Sequence, residues 1–362
     1  MSIPAKSNAI SSIIIGGGCA GYSLARHADK LADGIAVLLT GGAKRQDHSW
    51  GFFINAETHE AAQMARKMWQ RWKIITPKHE ITQTAHHHPY AGLESKAWLG
   101  YCKEKASSLG VIISDTSVST VDGNTVMTDQ GPLDADQIFD SRPPAVPKGM
   151  MIQSFIGHEV QTQYPVFDPD CATLMDFRCD QSRGIHFIYV LPYSERQALI
   201  ESTMFSPDIQ DDSFYDTAID TYLREHLGVD QRITLRREKG AIPMGELPIV
   251  NDSSIPIGAR GGAIRPSSGY AFAFIQRQID QILAGGKPMP HKAIDLMMDR
   301  IFLAVIRRYP QKAPLLFSRM AQALSGDEMA QFMSGKANMG LRLKVIWAMP
   351  KLPFLMALLR GI

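Results

Sequence analysis

Three isoleucines in succession, Ile13-Ile14-Ile15, end a short apolar run that breaks into glycines and then into helical spacing. A β-branched run bounded by glycine predicts a strand buried on both faces, as in a parallel sheet. The pattern beyond it predicts a helix over residues 20–31 and a second strand over 35–39. Further on it predicts helices over 57–72 and 101–109 and a strand over 111–113. Residues 117–127 read as a hairpin turning at Asp122-Gly123-Asn124, and 137–140 as a strand returning to the first sheet. Short apolar stretches at 153–160, 173–177, 186–190 and 198–202 then predict an antiparallel sheet. Residues 214–227 and 271–283 read as helices, as does most of 294–362. No internal repeat or low-complexity linker interrupts the pattern.

Composition narrows the class. The 362 residues suffice for one large domain or two interlocked ones. A net charge of +2 gives no bulk electrostatic case for nucleic acid. Cys19, Cys102, Cys171 and Cys179 lack CxxC spacing, which argues against a disulfide framework or zinc site and fits a reducing cytosol. Residues 1–8 are short and polar, and the apolar run that follows is too short for a signal-peptide core plus cleavage site. No apolar run approaches the roughly 18 residues a membrane span needs. The run His86-His87-His88 reads as a turn or strand end, since adjacent side chains do not aim at one metal centre.

Chemistry enters with Gly16, Gly18 and Gly21, which spell G-x-G-x-x-G between the first strand and first helix. In a dinucleotide site the first glycine permits the tight turn, the second lets backbone approach a pyrophosphate, and the third lets the helix pack on the strand. One part is missing. A carboxylate is expected about 20 residues past the glycines, to accept hydrogen bonds from ribose hydroxyls, and Thr40 stands at the end of the second strand instead. Adenosine anchoring is then weaker unless Gln46, Asp47 or another group compensates.

The ordered segments GGGCAGYSLA, DHSW, FDSRPP, QSFIGHEV, FDPDCATLMDFR, HFIYVLPYSERQALIEST, GAIPMG, GARGGAIRPSSGYAFAFIQRQ, MDRIFLAVIRRYP and PKLPFL extend over nearly the whole chain. Together they resemble the lycopene cyclase family, flavoproteins of the bacterial β-cyclase type. The resemblance implies an α/β, FAD/NAD(P)-binding Rossmann-like fold of the glutathione-reductase or hydroxybenzoate-hydroxylase kind. It places the FAD-binding domain over 1–150 and 255–290, an antiparallel-sheet (α+β) substrate region over 151–254, and a helical C-terminal region over 291–362. It further implies reduced FAD, with NAD(P)H as reductant, and acid/base ring closure of a polyene without net redox change. A flavin monooxygenase, a cyclase of another polyene or terpenoid, and a flavin-depleted binder of apolar ligands are the rival readings.

The same resemblance implies site residues. Glu201, in LIEST, is the acid; a carboxyl in an apolar cavity keeps its proton near neutral pH. The family often carries a second acid next to it, where this chain has Ser202. His48, in DHSW, orients flavin, relays a proton or makes a structural hydrogen bond; Ser49 replaces the family's threonine, and Phe53 stands where the family often has histidine. FAD falls to Gly16, Gly18, Gly21, Thr40 and Arg142, and to a second segment with Gly258, Gly261, Gly262, Arg265 and Gly269. Arg265 binds phosphate or forms a salt bridge. Trp50, Phe52 and Phe53 line a polyene channel or pack in the core, and Pro243 and Met244 border the substrate tunnel or pack. No metal site is expected. The tail over 341–362 carries Arg342, Lys344, Lys351 and Arg360 and no acids, with Trp347 among apolar residues. That composition suits peripheral membrane contact of a cytoplasmic protein meeting an apolar substrate such as lycopene.

Overall fold

The computed structural model describes residues 10–42 and 46–359; Lys44, Arg45 and Arg360 lie outside them. Strand Ile10–Ile15 is buried at every position, and it pairs in parallel with Ile35–Leu39 on one side and Gly131–Asp140 on the other. Ile112–Ser114 extends this sheet at one edge, and the hairpin of Val118–Asp122 and Thr125–Thr128 extends it at the other. The short strand Ile255–Pro256 joins in parallel beside Phe139 and Asp140, so a late segment returns to the first sheet.

The second sheet runs Arg232–Met244, Met151–Thr162, Gln197–Ser206, Ile185–Pro192, Cys171–Asp176, Arg71–Ile75 and Glu80–Thr84. Its largest core contains Trp69, Trp72, Phe177, Leu316 and Phe317, where sheet meets the C-terminal helices. Each such side chain contributes about 1.5–3 kcal/mol on burial. A small third sheet pairs Ser49–Phe53 and Lys67–Trp69 with Tyr90–Glu94.

Several expectations are corrected. The helix expected over 57–72 shrinks to His59–Ala62, and Lys67–Trp69 and Arg71–Ile75 are strands. Trp69 and Trp72 are spaced acceptably for a helix, but pairing with distant strands prevails over local pattern. The first helix is Cys19–Ala25, followed by a 3₁₀ turn at Ala28–Lys30. The backbone N–H groups of His86, His87 and His88 all donate to the Asp327 carboxylate, which ties this turn to the helical region.

Candidate active site

Two recesses meet at the N-terminal end of helix Phe272–Leu283, where Cys19 and Ile275 border both. The first is a groove of about 410 Å³ lined by Gly16, Gly18, Thr40, Arg142 and Gly258. Gly16 adopts a φ of 103°, open to glycine, and a Cβ on Gly21 would strike the Gly16 carbonyl oxygen. Gly21 therefore lets helix and strand pack and is not part of the groove wall. Arg142 is built into the wall: Nε and Nη2 reach Asp140 at 3.0 and 2.7 Å, and Nη1 donates to the carbonyl oxygens of Val118 and Ser119. Neither compensating residue considered for Thr40 reaches the groove. Gln46 donates to the Arg237 carbonyl oxygen, and Asp47 accepts from Ser95. Thr40 Oγ1 instead donates at 2.8 Å to Asp115, an exposed carboxylate just past the neighbouring strand end and next in sequence to Thr116 of the groove wall.

The second recess is a cavity of about 520 Å³ with a largely apolar wall. One wall is the second sheet, read at every other residue. Gln153, Phe155 and Gly157 of the strand Met151–Thr162 lie opposite Phe205, Thr203 and Glu201 on one neighbour, and opposite Ile242, Gly240 and Glu238 on the other. Because side chains alternate between faces, these residues share one side of the sheet. His48, Trp50 and Phe53 close the cavity opposite, and Met329 and Met333 close it from the helical region. Three wall atoms are buried without a hydrogen-bond partner: His48 Nδ1, Gln153 Oε1 and Ser268 Oγ. The hydroxyls of Tyr189 and Tyr90 are 3.0 Å apart, and those of Tyr90 and Tyr270 are 3.4 Å apart. Burial holds these phenols above their usual range, so they face the cavity as neutral hydroxyls.

Glu201 lies on this wall, and a second acid that sequence reading missed lies beside it. Burial first, then the charge and hydrogen bond of Glu238, hold the Glu201 carboxyl well above the usual carboxylate range; Arg236 acts weakly in the other direction. Glu238 is fully buried. Its oxygens accept from Ser49 N at 3.1 Å and Ser49 Oγ at 3.2 Å, and Arg236 Nη1 pairs with it at 3.0 Å. Arg236 also reaches Glu159 at 3.3 Å and Asp47 at 3.7 Å, and Arg66 pairs with Glu159 at 2.7 Å. DHSW, QSFIGHEV, LIEST and the strand ahead of GAIPMG, far apart in sequence, thus converge on one buried polar cluster. Ser202 faces the other side of its sheet, bonded to His186 Nε2 at 2.8 Å.

Other expected positions fall elsewhere. Phe52 does not line the cavity and stacks on Phe272 at 4.7 Å, whereas its neighbour Phe53 does line it. Pro243, opposite Ile152, does not line the cavity, and Met244 is core; Gly240, Ala241 and Ile242 line the cavity in their place. Arg265 does not reach the groove. It is buried and spends its donors on Asp299, at 3.2 Å twice, and on the Phe332 carbonyl oxygen. Gln278 staples the second glycine segment, accepting from Gly258 N and donating to the Gly261 carbonyl oxygen. Gly261 accordingly packs inward, Gly262 is exposed, and neither lines a recess. Gly269 does line the cavity.

Fold and site together define a Rossmann-like protein whose glycine-lined groove, of the kind that takes dinucleotides, lies beside an apolar cavity bearing a buried acid. The profile of the family described as lycopene cyclase protein matches residues 12–358, and the chain belongs to that family. A lycopene beta-cyclase from a Paracoccus species is 25% identical over 250 residues; the match covers 61% of this chain and just under two thirds of that relative, 63%. Among solved structures, a geranylgeranyl bacteriochlorophyll reductase-like protein from Thermoplasma acidophilum superposes with a TM-score of 0.61 at 15% identity, covering 93% of this chain and 95% of its own. A flavin-dependent brominase superposes with a TM-score of 0.60 at 16% identity, covering 93% and 97%. These superpositions agree with the Rossmann-like fold expected from the sequence.

Proposed function

We propose that the chain is a lycopene β-cyclase that holds FAD in its reduced form, with NAD(P)H as reductant, and closes the end groups of lycopene by acid/base chemistry. The observation that carries this reading is a buried carboxyl, Glu201, set beside a second buried acid on an apolar wall, one helix terminus away from a dinucleotide-type groove. The residues fit FAD. Gly16, Gly18 and Gly258 would meet the pyrophosphate, and Asp115, held by Thr40, would meet the ribose. The unpartnered Ser268 Oγ, Gln153 Oε1 and His48 Nδ1 offer hydrogen bonds to the polar parts of a flavin ring near the N-terminus of Phe272–Leu283. When bound, reduced FAD supplies an electron-rich face that stabilises a neighbouring cation.

An alkene is a weak base, so its protonation needs a strong, placed acid and a dry site. Glu201 donates its proton to the terminal double bond of the end group, the six-membered ring closes as a tertiary carbocation, and Glu201 takes back a ring proton as the new double bond forms. Trp50, Phe53 and the neutral tyrosines enclose that charge with polarisable faces. Expression in a lycopene-accumulating host, with product analysis, tests the assignment. Ring-bearing product supports it; oxygen-dependent NAD(P)H consumption without rings favours a monooxygenase.

Two further expectations follow. Asp115→Asn weakens FAD binding about tenfold or more, since a hydrogen bond to a charged group contributes about 1.5–3 kcal/mol; flavin fluorescence titration measures it, and unchanged affinity removes Asp115 from the ribose site. The second concerns the tail. Arg342 is buried against Asp295 at 2.8 Å, and the exposed Lys344 pairs with Glu328 at 2.6 Å, so part of the basic character read from sequence is balanced by acids. Leu343, Ile346, Trp347, Leu352, Leu355 and Leu359 nevertheless remain exposed. No helix among the described residues is long and apolar enough to cross a membrane. Peripheral attachment of a cytoplasmic protein through this apolar surface is the proposal. Replacing Trp347, Leu352 and Leu355 by Ser should cut liposome partition at least about tenfold, given roughly 1.5–3 kcal/mol per buried large apolar side chain. Equal partition would exclude the tail.

A further inference from the structure

We infer that Glu201 and Glu238 act as one carboxyl–carboxylate pair that shares a single proton across Gly157, Glu238 being the positioning residue that keeps the Glu201 acid loaded. The pair is made by register. Glu201 and Glu238 sit on strands two apart, both opposite Gly157 of the strand between them. Strands lie about 4.8 Å apart, so the two backbones are separated by roughly twice that. Only side chains leaning over the middle strand can meet. A Cβ on Gly157 would come within 2.9 Å of Glu201 Cγ and 3.1 Å of Glu238 Cγ. The absent side chain is what lets the two carboxyls touch.

Their surroundings divide the roles. Glu238 receives the donors: Ser49 N, Ser49 Oγ and Arg236 Nη1. Donors of this kind favour an anion. The hydrogen-bond partner of Glu201 is Glu238 itself. Across from Glu201 stands Tyr189, a neutral phenol. Among the described residues, the remaining charged or titratable groups around the pair are Glu159 and Asp47, both joined to Arg236, Arg66 behind Glu159, His48 on the facing segment, and the phenols of Tyr90, Tyr193 and Tyr270. Two carboxylates in contact cannot both ionise cheaply, so the site holds one proton, on the member that faces the cavity.

The cycle balances. The Glu201 O–H bond breaks as a C–H bond forms on the substrate, leaving two carboxylates beside one ring cation. A ring C–H bond then breaks, its electrons become the new C=C bond, and the proton returns to the pair. No oxidant or reductant is consumed. The catalytic consequence rests on the cyclase reading, but the pair does not, and the test separates them.

The test is an infrared titration of the protonated-carboxyl stretch in flavin-loaded protein without substrate. Wild type should retain one such band above the ordinary carboxylate range, and Glu201→Gln should lose it. In Glu238→Gln the midpoint should fall by about one pH unit or more, the scale of a neighbouring like charge. Gly157→Ala, which keeps both acids but parts them, should move it the same way. The alkaline limb of ring formation from lycopene should move with the midpoint. An unmoved midpoint in Glu238→Gln and Gly157→Ala overturns the pair and leaves Glu238 a structural anchor. A moved midpoint in a protein that leaves lycopene unchanged keeps the pair and removes the lycopene reading.

Discussion

Glu201→Gln should lower ring formation by about 10²- to 10⁴-fold, the usual weight of a placed general acid, while flavin stays bound. The glutamine preserves shape and still faces Glu238, so the loss is specific to the proton. Product analysis in lycopene-accumulating cells, together with the flavin absorbance of the purified protein, reads both halves. Retained ring formation would strip Glu201 of the acid role. The same variant changes the pH dependence of stability. Burial and Glu238 raise the folded-state value of Glu201 above its unfolded value. Between those two values the folded state binds more protons than the unfolded state, so wild-type stability falls as pH rises through that window. Above the ordinary carboxylate range Glu201→Gln should therefore be less sensitive to alkali than wild type, as urea midpoints across pH would show.

The largest effect on stability is expected at Asp299. It is buried, holds Arg265 through two hydrogen bonds and accepts one from Ser267 at 2.7 Å. Asp299→Ala leaves a buried guanidinium facing a void, which costs about 3–5 kcal/mol. Replacing both partners, Arg265→Met with Asp299→Leu, should recover most of that loss, because no uncompensated charge remains. Urea unfolding of the single and double variants measures the difference. A single-variant loss below about 1 kcal/mol, typical of exposed pairs, would show that the ion pair is not sealed from water. Since Ser267 adjoins the cavity wall at Ser268 and Gly269, the single variant should also weaken flavin retention.

What the sequence made legible follows the range of the interactions involved. The first strand, its glycines and the strand carrying Glu201 declare themselves through β-branched runs and turn residues, which are local signals. The segment 57–72 misleads because Trp69 and Trp72 owe their place to strands Tyr90–Glu94 and Cys171–Asp176, which no local window contains. Glu238 was invisible for a related reason: in RREKG it looks like one charge among several on an exposed strand. Its burial exists only because Arg232–Met244 lies against Met151–Thr162. Parity was the one available clue, since Glu238, Gly240 and Ile242 alternate with Arg237, Lys239 and Ala241. Asp115 and Asp299 also act on partners 75 and 34 residues away, Thr40 and Arg265. The second acid that the family resemblance suggested at position 202 would have pointed to the wrong face of the sheet, toward His186.

Gly157 also bears on attempts to toughen this protein. Glycine inside a strand costs about 0.5–1 kcal/mol relative to alanine, so a directed-evolution library selected for heat resistance alone has reason to fill that position. A Cβ there would nevertheless meet Glu201 Cγ at 2.9 Å and Glu238 Cγ at 3.1 Å, so a survivor of such a screen would have displaced both acids, and a campaign that scores colour change in colonies at raised pH alongside melting temperature would single it out.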